Sequence, residues 1–122
     1  MKKIELFERA IAEQTGSLKD WGINQTLFWA YRSSMEAGND EIDFGDVIWD
    51  YDIEEIVKTL KENGISEFTI SSTFSSLIPT LAEFAKHGFQ MAGLTEVKAK
   101  YTDWHTGERA VIPAIRMTAE EA

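Results

Sequence analysis

The fold is decided by residues 63–89, NGISEFTISSTFSSLIPTLAEFAKHGF, which predict one strand followed by one helix. Phe68 and Ile70 alternate with Glu67 and Thr69, which is the period of a strand whose two faces differ. Hydroxyl-bearing residues follow at once and favour a turn. The alternation predicts a sheet with one partly exposed face.

The helix after this turn is predicted to end at about His87, before Gly88. Pro79 has no N–H and fits a helix only in its first turn, so the regular helix should begin near Ser75 or Ser76. The 3.6-residue period predicts the inward-facing residues, which are Leu77, Ile78, Leu81, Phe84 and Ala85.

Two strands are predicted beyond this helix, over residues 89–101 and 108–118, joined by the hairpin turn TDWHTG. They should be antiparallel to each other. A right-handed crossover should make the strand at 66–71 parallel to the one at 89–101. Pro113 cannot donate a backbone hydrogen bond, so the last strand should be an edge strand or carry a bulge there.

The first third of the chain is predicted to be helical. Apolar residues recur at helical spacing over residues 2–15 and 18–37, and Gly38 suits a left-handed C-cap. Trp29 lies opposite the apolar stripe of the second helix, so it is either buried by another element or exposed for a partner. Burial is the favoured interpretation for a helix inside a small domain.

A further helix is predicted to start at Asp52, which would form a D-x-x-E N-terminal box with Glu55, while Tyr51 would pack on Ile56. Its apolar stripe is Ile53, Ile56, Val57 and Leu60, and Asn63-Gly64 ends it. These elements predict a single α+β domain over residues 1–122, with N-terminal helices followed by α-β-α-β-β and a small three-stranded mixed sheet. The alternative is a layer fold in which helices cover both sheet faces.

Composition limits the class of protein. The chain has 122 residues, 43% of them hydrophobic, and no cysteine, so a packed core is expected and disulfides and cysteine-based metal sites are excluded. No apolar run reaches about 18 residues, so no membrane span is predicted. Glu5 and Glu8 interrupt the N-terminal apolar residues, so a signal peptide is not predicted. The cytoplasm is the expected location.

The negative charge is concentrated in one segment. Residues 36–67 contain eleven acidic and two basic residues, which equals the net charge of −9 of the whole chain. Such a field repels nucleic acid, whose binding depends on Lys and Arg neutralising phosphates. A basic protein partner or a cation is compatible with it.

The densest part of this segment, residues 39–52, has three open interpretations once an EF-hand loop is excluded. An EF-hand loop is ruled out, because no register supplies both its oxygen ligands and its glycine. A looser Mg²⁺ or Ca²⁺ site at Asp43, Asp46 and Asp50 stays open, as does a solvated loop that only keeps the protein dispersed. The third interpretation is an acidic and aromatic binding face, whose residues are Asp40, Asp43, Asp46, Trp49, Asp50 and Trp29.

A second candidate site is the strand-to-helix turn over residues 71–76. Its hydroxyls belong to Ser71, Ser72, Thr73, Ser75 and Ser76. A turn of this kind presents backbone N–H groups to an anion or polar ligand. There is no glycine-rich turn and no nearby Lys or Arg, so a P-loop is excluded. Helix capping by one serine is the simpler explanation.

The two histidines give weak catalytic signals. His87 lies at a predicted helix C-terminus, where a cation suits the helix dipole. His105 lies in the hairpin turn, where Asp103 could orient its imidazole. A composite site would need this pair to meet the turn at 71–76 within hydrogen-bond range.

Two resemblances bear on the family. "ENGISEFTISST" and "LAEFAKHGFQMAGLTEVKAKY" resemble the C-terminal half of GNAT acetyltransferases, but the pyrophosphate-binding loop and the N-terminal strands of those enzymes are missing. That resemblance implies a local α/β arrangement and not acetyl transfer. "IDFGDVIWDYDI", "MAGLTEVKAKYTDW" and "GERAVIPAIRM" are similar to a family of small uncharacterised proteins of Firmicutes-type bacteria, often found among mobile-element genes. This resemblance implies a bacterial cytosolic protein with an accessory role on such elements, and it transfers no site residue.

We therefore expect a non-enzymatic protein-interaction module with an acidic face and no cofactor, whose oligomeric state is left open. The alternative is a small-molecule or anion-binding, enzyme-like domain that uses the turn at 71–76. An enzyme needs a base, a nucleophile or metal, and an anion stabiliser in one place, and the sequence shows only fragments of such a set.

Overall fold

The computed structural model describes residues 3–13, 17–102 and 104–119. It contains helices and a mixed sheet, which confirms the predicted α+β class. Within the described ranges no helix is long and apolar enough to cross a bilayer. In chain order the elements are α1 (Glu5–Glu13), α2 (Gln25–Ala37), β1 (Asp43–Phe44), α3 (Asp50–Glu62), β2 (Glu67–Ile70), α4 (Leu77–Lys86), β3 (Phe89–Thr102) and β4 (Arg109–Ala119).

The sheet has the strand order β1-β2-β4-β3. β1 is parallel to β2, and β4 is antiparallel to both β2 and β3. β2 and β3 thus run in the same direction, as predicted, but β4 lies between them. The sheet has four strands and not the predicted three. The sequence did not indicate β1, because a strand of two residues is too short to show an alternating pattern.

Pro113 explains where β2 ends. The N–H of Ala119 donates to the carbonyl oxygen of Ser66, the residue before β2. Backbone N–H groups alternate sides along a strand, and Pro113 is six residues from Ala119, so the nitrogen of Pro113 faces the same side, toward β2. Pro113 has no hydrogen to donate there. β2 stops at Ile70, and the next two N–H groups, of Ser71 and Ser72, bond to the carbonyl oxygen of Phe44 at 3.1 and 3.2 Å. β4 is therefore an interior strand over most of its length, but at Pro113 it is paired with β3 alone.

One face of the sheet carries the apolar core. Phe44, Phe68, Phe84 and Phe89 are at most 1% exposed, and their rings lie 5.0–6.4 Å apart in edge-on and tilted pairs. The predicted stripe of α3 is confirmed, since Ile53, Ile56, Val57 and Leu60 are all buried. Large apolar side chains in close contact supply most of the stability of such a domain.

The inward face of α4 differs from the prediction. Ile78 is 79% exposed, and Ala85 is exposed as well. Thr80 and Phe84 are fully buried, so the helix turns its i, i+3, i+4 and i+7 positions from Leu77 toward the sheet. Ile78 and Ala85 lie at one edge of the predicted apolar face, and the buried stripe is centred on Leu77, Leu81 and Phe84 instead.

The second face of the sheet is polar and partly covered by α2. The face is partly exposed, as predicted, since the side chains of Glu67 and Arg116 are 40% and 42% exposed, but Thr69 on the same face is only 4% exposed. The reason is a buried acceptor: the Thr69 hydroxyl donates to Asp43 at 2.6 Å. A polar side chain with a partner inside the fold does not need to face water.

Local capping explains two further differences in the helices. Residues 18–22 form a turn, and α2 begins only after Asn24, whose side chain accepts the Leu27 N–H at 3.0 Å. α1 covers fewer residues than predicted, and residues 14–16 lie outside the described ranges. Gly38 has a φ of 78°, which confirms it as the left-handed C-cap of α2.

α3 begins at Asp50, so the box predicted at Asp52 is wrong. Asp52 instead accepts hydrogen bonds from Asn24 at 3.1 Å and from Thr26 at 2.9 Å, which join α3 to the start of α2. Tyr51 is 80% exposed and does not pack on the helix. Tertiary hydrogen bonds here outweigh the local capping motif.

Candidate functional site

β1 divides the acidic stretch into three environments. Asp40 precedes the strand and Asp46 and Asp50 follow it, and all three are exposed. Asp43 lies within the strand and is 9% exposed. The single acidic face predicted from the sequence is therefore two surfaces separated by a buried carboxylate.

Trp29 and Asp46 line one groove of about 210 Å³, together with Gln25, Thr26 and Val47. Trp29 is 50% exposed, so the expectation that it is buried is wrong. α2 meets the sheet through the opposite side of the helix, which leaves the indole facing the loop after β1. The start of α3 adjoins this groove, because Asp52 accepts a hydrogen bond from Thr26, and we call the groove together with Trp49, Asp50 and Tyr51 the aromatic–acidic groove.

Trp49 and Tyr51 extend the exposed aromatic area. Their rings are stacked at 6.3 Å with an angle of 11°, and both are more than half exposed. Arg32 lies 5.7 Å from the Trp29 ring and is paired with Glu36 at 3.3 Å. The two exposed rings therefore make contact with each other on the surface of the protein.

Asp43 joins the acidic stretch to the serine-rich turn. Its two carboxylate oxygens accept one hydrogen bond each, from Thr69 and from Ser71, both at 2.6 Å. The Asp43 N–H donates to Ser34 of α2 at 2.8 Å. Asp43 and Ser71 both line a cavity of about 190 Å³, the Asp43 cavity. The prediction that Asp43 lies on the acidic face is wrong, because three hydroxyls of the fold hold it inside.

The rest of the turn at 71–76 is divided between contacts and solvent. Ser72 is buried, whereas Thr73, Ser75 and Ser76 are exposed. Ser76 occupies the N-cap of α4 without a side-chain cap hydrogen bond. The N–H groups of Ser71 and Ser72 are bound to Phe44 and are not available to an anion. Ligand binding by the other hydroxyls stays a prediction.

A second ionic site lies on the polar face of the sheet. Arg116 of β4 is paired with Glu67 at 2.5 Å and with Glu41 at 3.6 Å. Arg116, Glu41, Asp40 and Lys98 line a cavity of about 390 Å³, the Arg116 cavity. Burial raises the pKa of Glu41, the charge of Arg116 opposes this rise, and Glu67 adds to it.

Sequence reasoning missed this cluster. Arg116 is flanked by the core-facing residues Ile115 and Met117, and this alternation places it on the opposite face from them. The same alternation in β2 places Glu67 beside Thr69, the register partner of Arg116. The alternation in each strand could be seen in the sequence, but the register that places Arg116 opposite Thr69 could not.

The histidines lie apart from these surfaces. His87 is the C-cap residue of α4, 3.8 Å from Glu83. His105 packs under Trp104, which is 85% exposed, and Asp103 lies outside the described residues. The composite site with the serine-rich turn therefore stays a prediction. Among the described residues no group of three or more His, Asp or Glu side chains could hold a metal ion.

Comparison with known proteins gives a family but no activity. A family model described as Domain of unknown function (DUF7698) matches residues 26–119. The match covers more than half of the chain, so the chain belongs to this family, in agreement with the resemblance to an uncharacterised family. No curated protein and no solved structure matches the chain.

Proposed function

We propose that this member of the DUF7698 family is a non-enzymatic protein-interaction module whose aromatic–acidic groove binds a basic protein partner. The observation that carries the proposal is Trp29, a half-exposed tryptophan that lines one groove with Asp46. The proposed setting is a bacterial cytoplasm, which the absence of cysteine supports.

The aromatic residues would supply most of the binding energy. Tryptophan and tyrosine are enriched among interface residues whose truncation costs about 2 kcal/mol or more. Trp29, Trp49 and Tyr51 are each at least half exposed, and the groove beside Trp29 gives a partner side chain a concave place to enter. Val47, at 41% exposure, adds apolar area to the same groove.

The charges would select the partner. Asp46 lines the groove with Trp29, Asp50 is exposed between Trp49 and Tyr51 in the sequence, and Arg32, which lies beside the Trp29 ring, is paired with Glu36. With a net charge of −9, the chain attracts basic surfaces over distances of about 10 Å at about 0.1 M salt, and over longer distances at lower salt. Such complementarity mainly raises the association rate and excludes acidic partners.

A capture experiment with matched variants tests this proposal. Wild type, Trp29→Ala and the pair Asp46→Asn with Asp50→Asn would be immobilised and exposed to a bacterial lysate at about 50 mM and about 500 mM salt. Trp104→Ala is the control, because Trp104 is the most exposed tryptophan outside the groove. We expect a basic partner that wild type and Trp104→Ala retain at low salt.

Trp29→Ala should weaken that partner's binding by about 30-fold, and the paired asparagine change should lower its association rate. The retained partner would then be purified and its affinity measured for each variant. The proposal fails if no protein is retained at low salt. It also fails if the groove variants retain the same partners as wild type at both salt concentrations.

A further inference from the structure

The Asp43 cavity lies between α2, β1 and the part of the β3–β4 hairpin beyond β2. Its walls are mostly apolar and include Ala37, Ala99 and Ile112. It opens beside Gly45 and Tyr101, which are both exposed. A volume of about 190 Å³ corresponds to roughly six water molecules at about 30 Å³ each, so the cavity suits a compact ligand.

Asp43 is the acidic residue among those that line this cavity. Its oxygens accept hydrogen bonds from Thr69 and Ser71, and both donors are neutral hydroxyls. A carboxylate offers about four acceptor positions, so about two stay open. Burial of a charge is costly unless an opposite charge accompanies it.

Among the residues that the structure describes, no basic side chain forms an ion pair with the Asp43 carboxylate. The ion pairs within 4.0 Å involve Arg9, Arg32, Lys86, His87 and Arg116, and none of them includes Asp43. Lys98 lines the cavity, but its ammonium nitrogen lies 3.6 Å from where a Cβ on Gly38 would stand. The cavity thus combines a buried anion, apolar walls and an opening to solvent.

We propose that the Asp43 cavity binds a small organic cation, namely a primary ammonium group on a compact apolar body. The ammonium would donate to the open acceptor positions of Asp43, and the body would replace water on Ala37, Ala99 and Ile112. Because Asp43 is the acidic residue that lines the cavity, an anion is disfavoured, and the apolar walls favour an organic cation over a hydrated metal ion. The cavity shares only Gly45 with the groove of the proposed function, so this site is independent of it.

Titration with n-butylammonium chloride tests the site. Amide and methyl NMR signals of Ala37, Ala99 and Ile112 should shift and saturate, with a Kd on the order of 1 mM for a ligand of this size. 1-Butanol has the same length and no charge. It should bind at least about tenfold more weakly, because it gains no interaction with the carboxylate charge.

Matched variants assign the effect to Asp43. Asp43→Asn should weaken n-butylammonium binding at least about tenfold, whereas Glu96→Gln, which removes an exposed carboxylate of the Arg116 cavity, should change it less than about twofold. Lys98→Gln should tighten binding, since it removes a like charge from the cavity. Ala99→Leu fills the cavity and keeps the carboxylate, so it should abolish binding even where Asp43→Asn does not fold.

The ammonium could belong to a free amine or to a lysine of another protein, and a second titration separates these sources. Tighter binding of N-acetyl-lysine methylamide than of n-butylammonium assigns the site to a protein side chain, and weaker binding assigns it to a free amine. The proposal is overturned if n-butylammonium gives no saturable shift or binds no better than 1-butanol. It is also overturned if Ala99→Leu leaves the affinity unchanged.

Discussion

The two faces of the sheet are built by different chemistry from the same strands. On one face Phe44, Phe68 and Phe84 pack ring against ring with almost no exposure. On the other face Asp43, Thr69 and Arg116 form hydrogen bonds and ion pairs beside two cavities. The apolar face is closely packed, whereas the polar face carries charged groups that line open cavities.

This difference suggests a division of roles between the faces. Apolar packing stabilises in proportion to the area buried and tolerates no gaps. Buried polar groups add little net stability, but they cost free energy when a partner is removed. We therefore expect substitutions on the two faces to differ in size and in their dependence on pH.

The largest effect is expected from Phe68→Ala on the apolar face. The ring contacts Phe44, Phe84 and Phe89, and its loss should leave a cavity that lowers the free energy of unfolding by about 3–5 kcal/mol. Urea denaturation followed by circular dichroism would measure it. A loss below about 1 kcal/mol would show that this face is not the main source of stability.

A smaller effect is expected from Asp43→Ala on the polar face. It leaves the hydroxyls of Thr69 and Ser71 without their acceptor, which should cost about 2–3 kcal/mol of unfolding free energy. The matched control is Asp40→Ala, an exposed acid of the same stretch, which should change stability by less than about 0.5 kcal/mol. Equal effects of the two changes in the same denaturation experiment would contradict a structural role for Asp43.

The smallest effect, and the one that depends on pH, is expected from Glu41→Gln. Burial raises the pKa of Glu41 in the folded state, so the folded chain holds this proton more tightly than the unfolded chain does. The resulting stability is present below the unfolded pKa of about 4.3 and is lost as the pH rises through the folded pKa.

Glu41→Gln should therefore be more stable than wild type at pH 7 by less than about 1 kcal/mol, and this advantage should shrink below about pH 4. Thermal melting over a pH series would measure the difference. An advantage that stays constant with pH would show that the proton of Glu41 is not involved.

The elements predicted well from the sequence are those with local signals. The stripe of α3 has a helical period, Gly38 is the residue that a left-handed cap favours, and the β3–β4 hairpin is bounded by turn residues. Each signal lies within a few residues of the element that it predicts.

The features that were missed depend on partners far away in the chain. β1 forms because Asp43 and Phe44 pair with residues of β2 about 26 positions later in the chain. Asp43 is buried because the hydroxyls of Thr69 and Ser71 donate hydrogen bonds to its carboxylate. Asp52 was predicted to cap a helix, but its carboxylate accepts hydrogen bonds from Asn24 and Thr26 instead. A hydroxyl or a carboxylate gives no sign in the sequence of which distant group it will meet.

Pro113 also governs how the strands can associate with one another and with other chains. Because it offers no donor on the open side of β4, a register in which β2 extended past Ile70 would lack a backbone hydrogen bond at Pro113. The same missing donor denies an unrelated strand a continuous ladder along that side, and so reduces the hazard of edge-to-edge aggregation. A substitution such as Pro113→Thr would restore the backbone donor on this side, and so would favour both a longer β2 ladder and pairing with strands of other chains. The antiparallel pairing with β3 would stay intact.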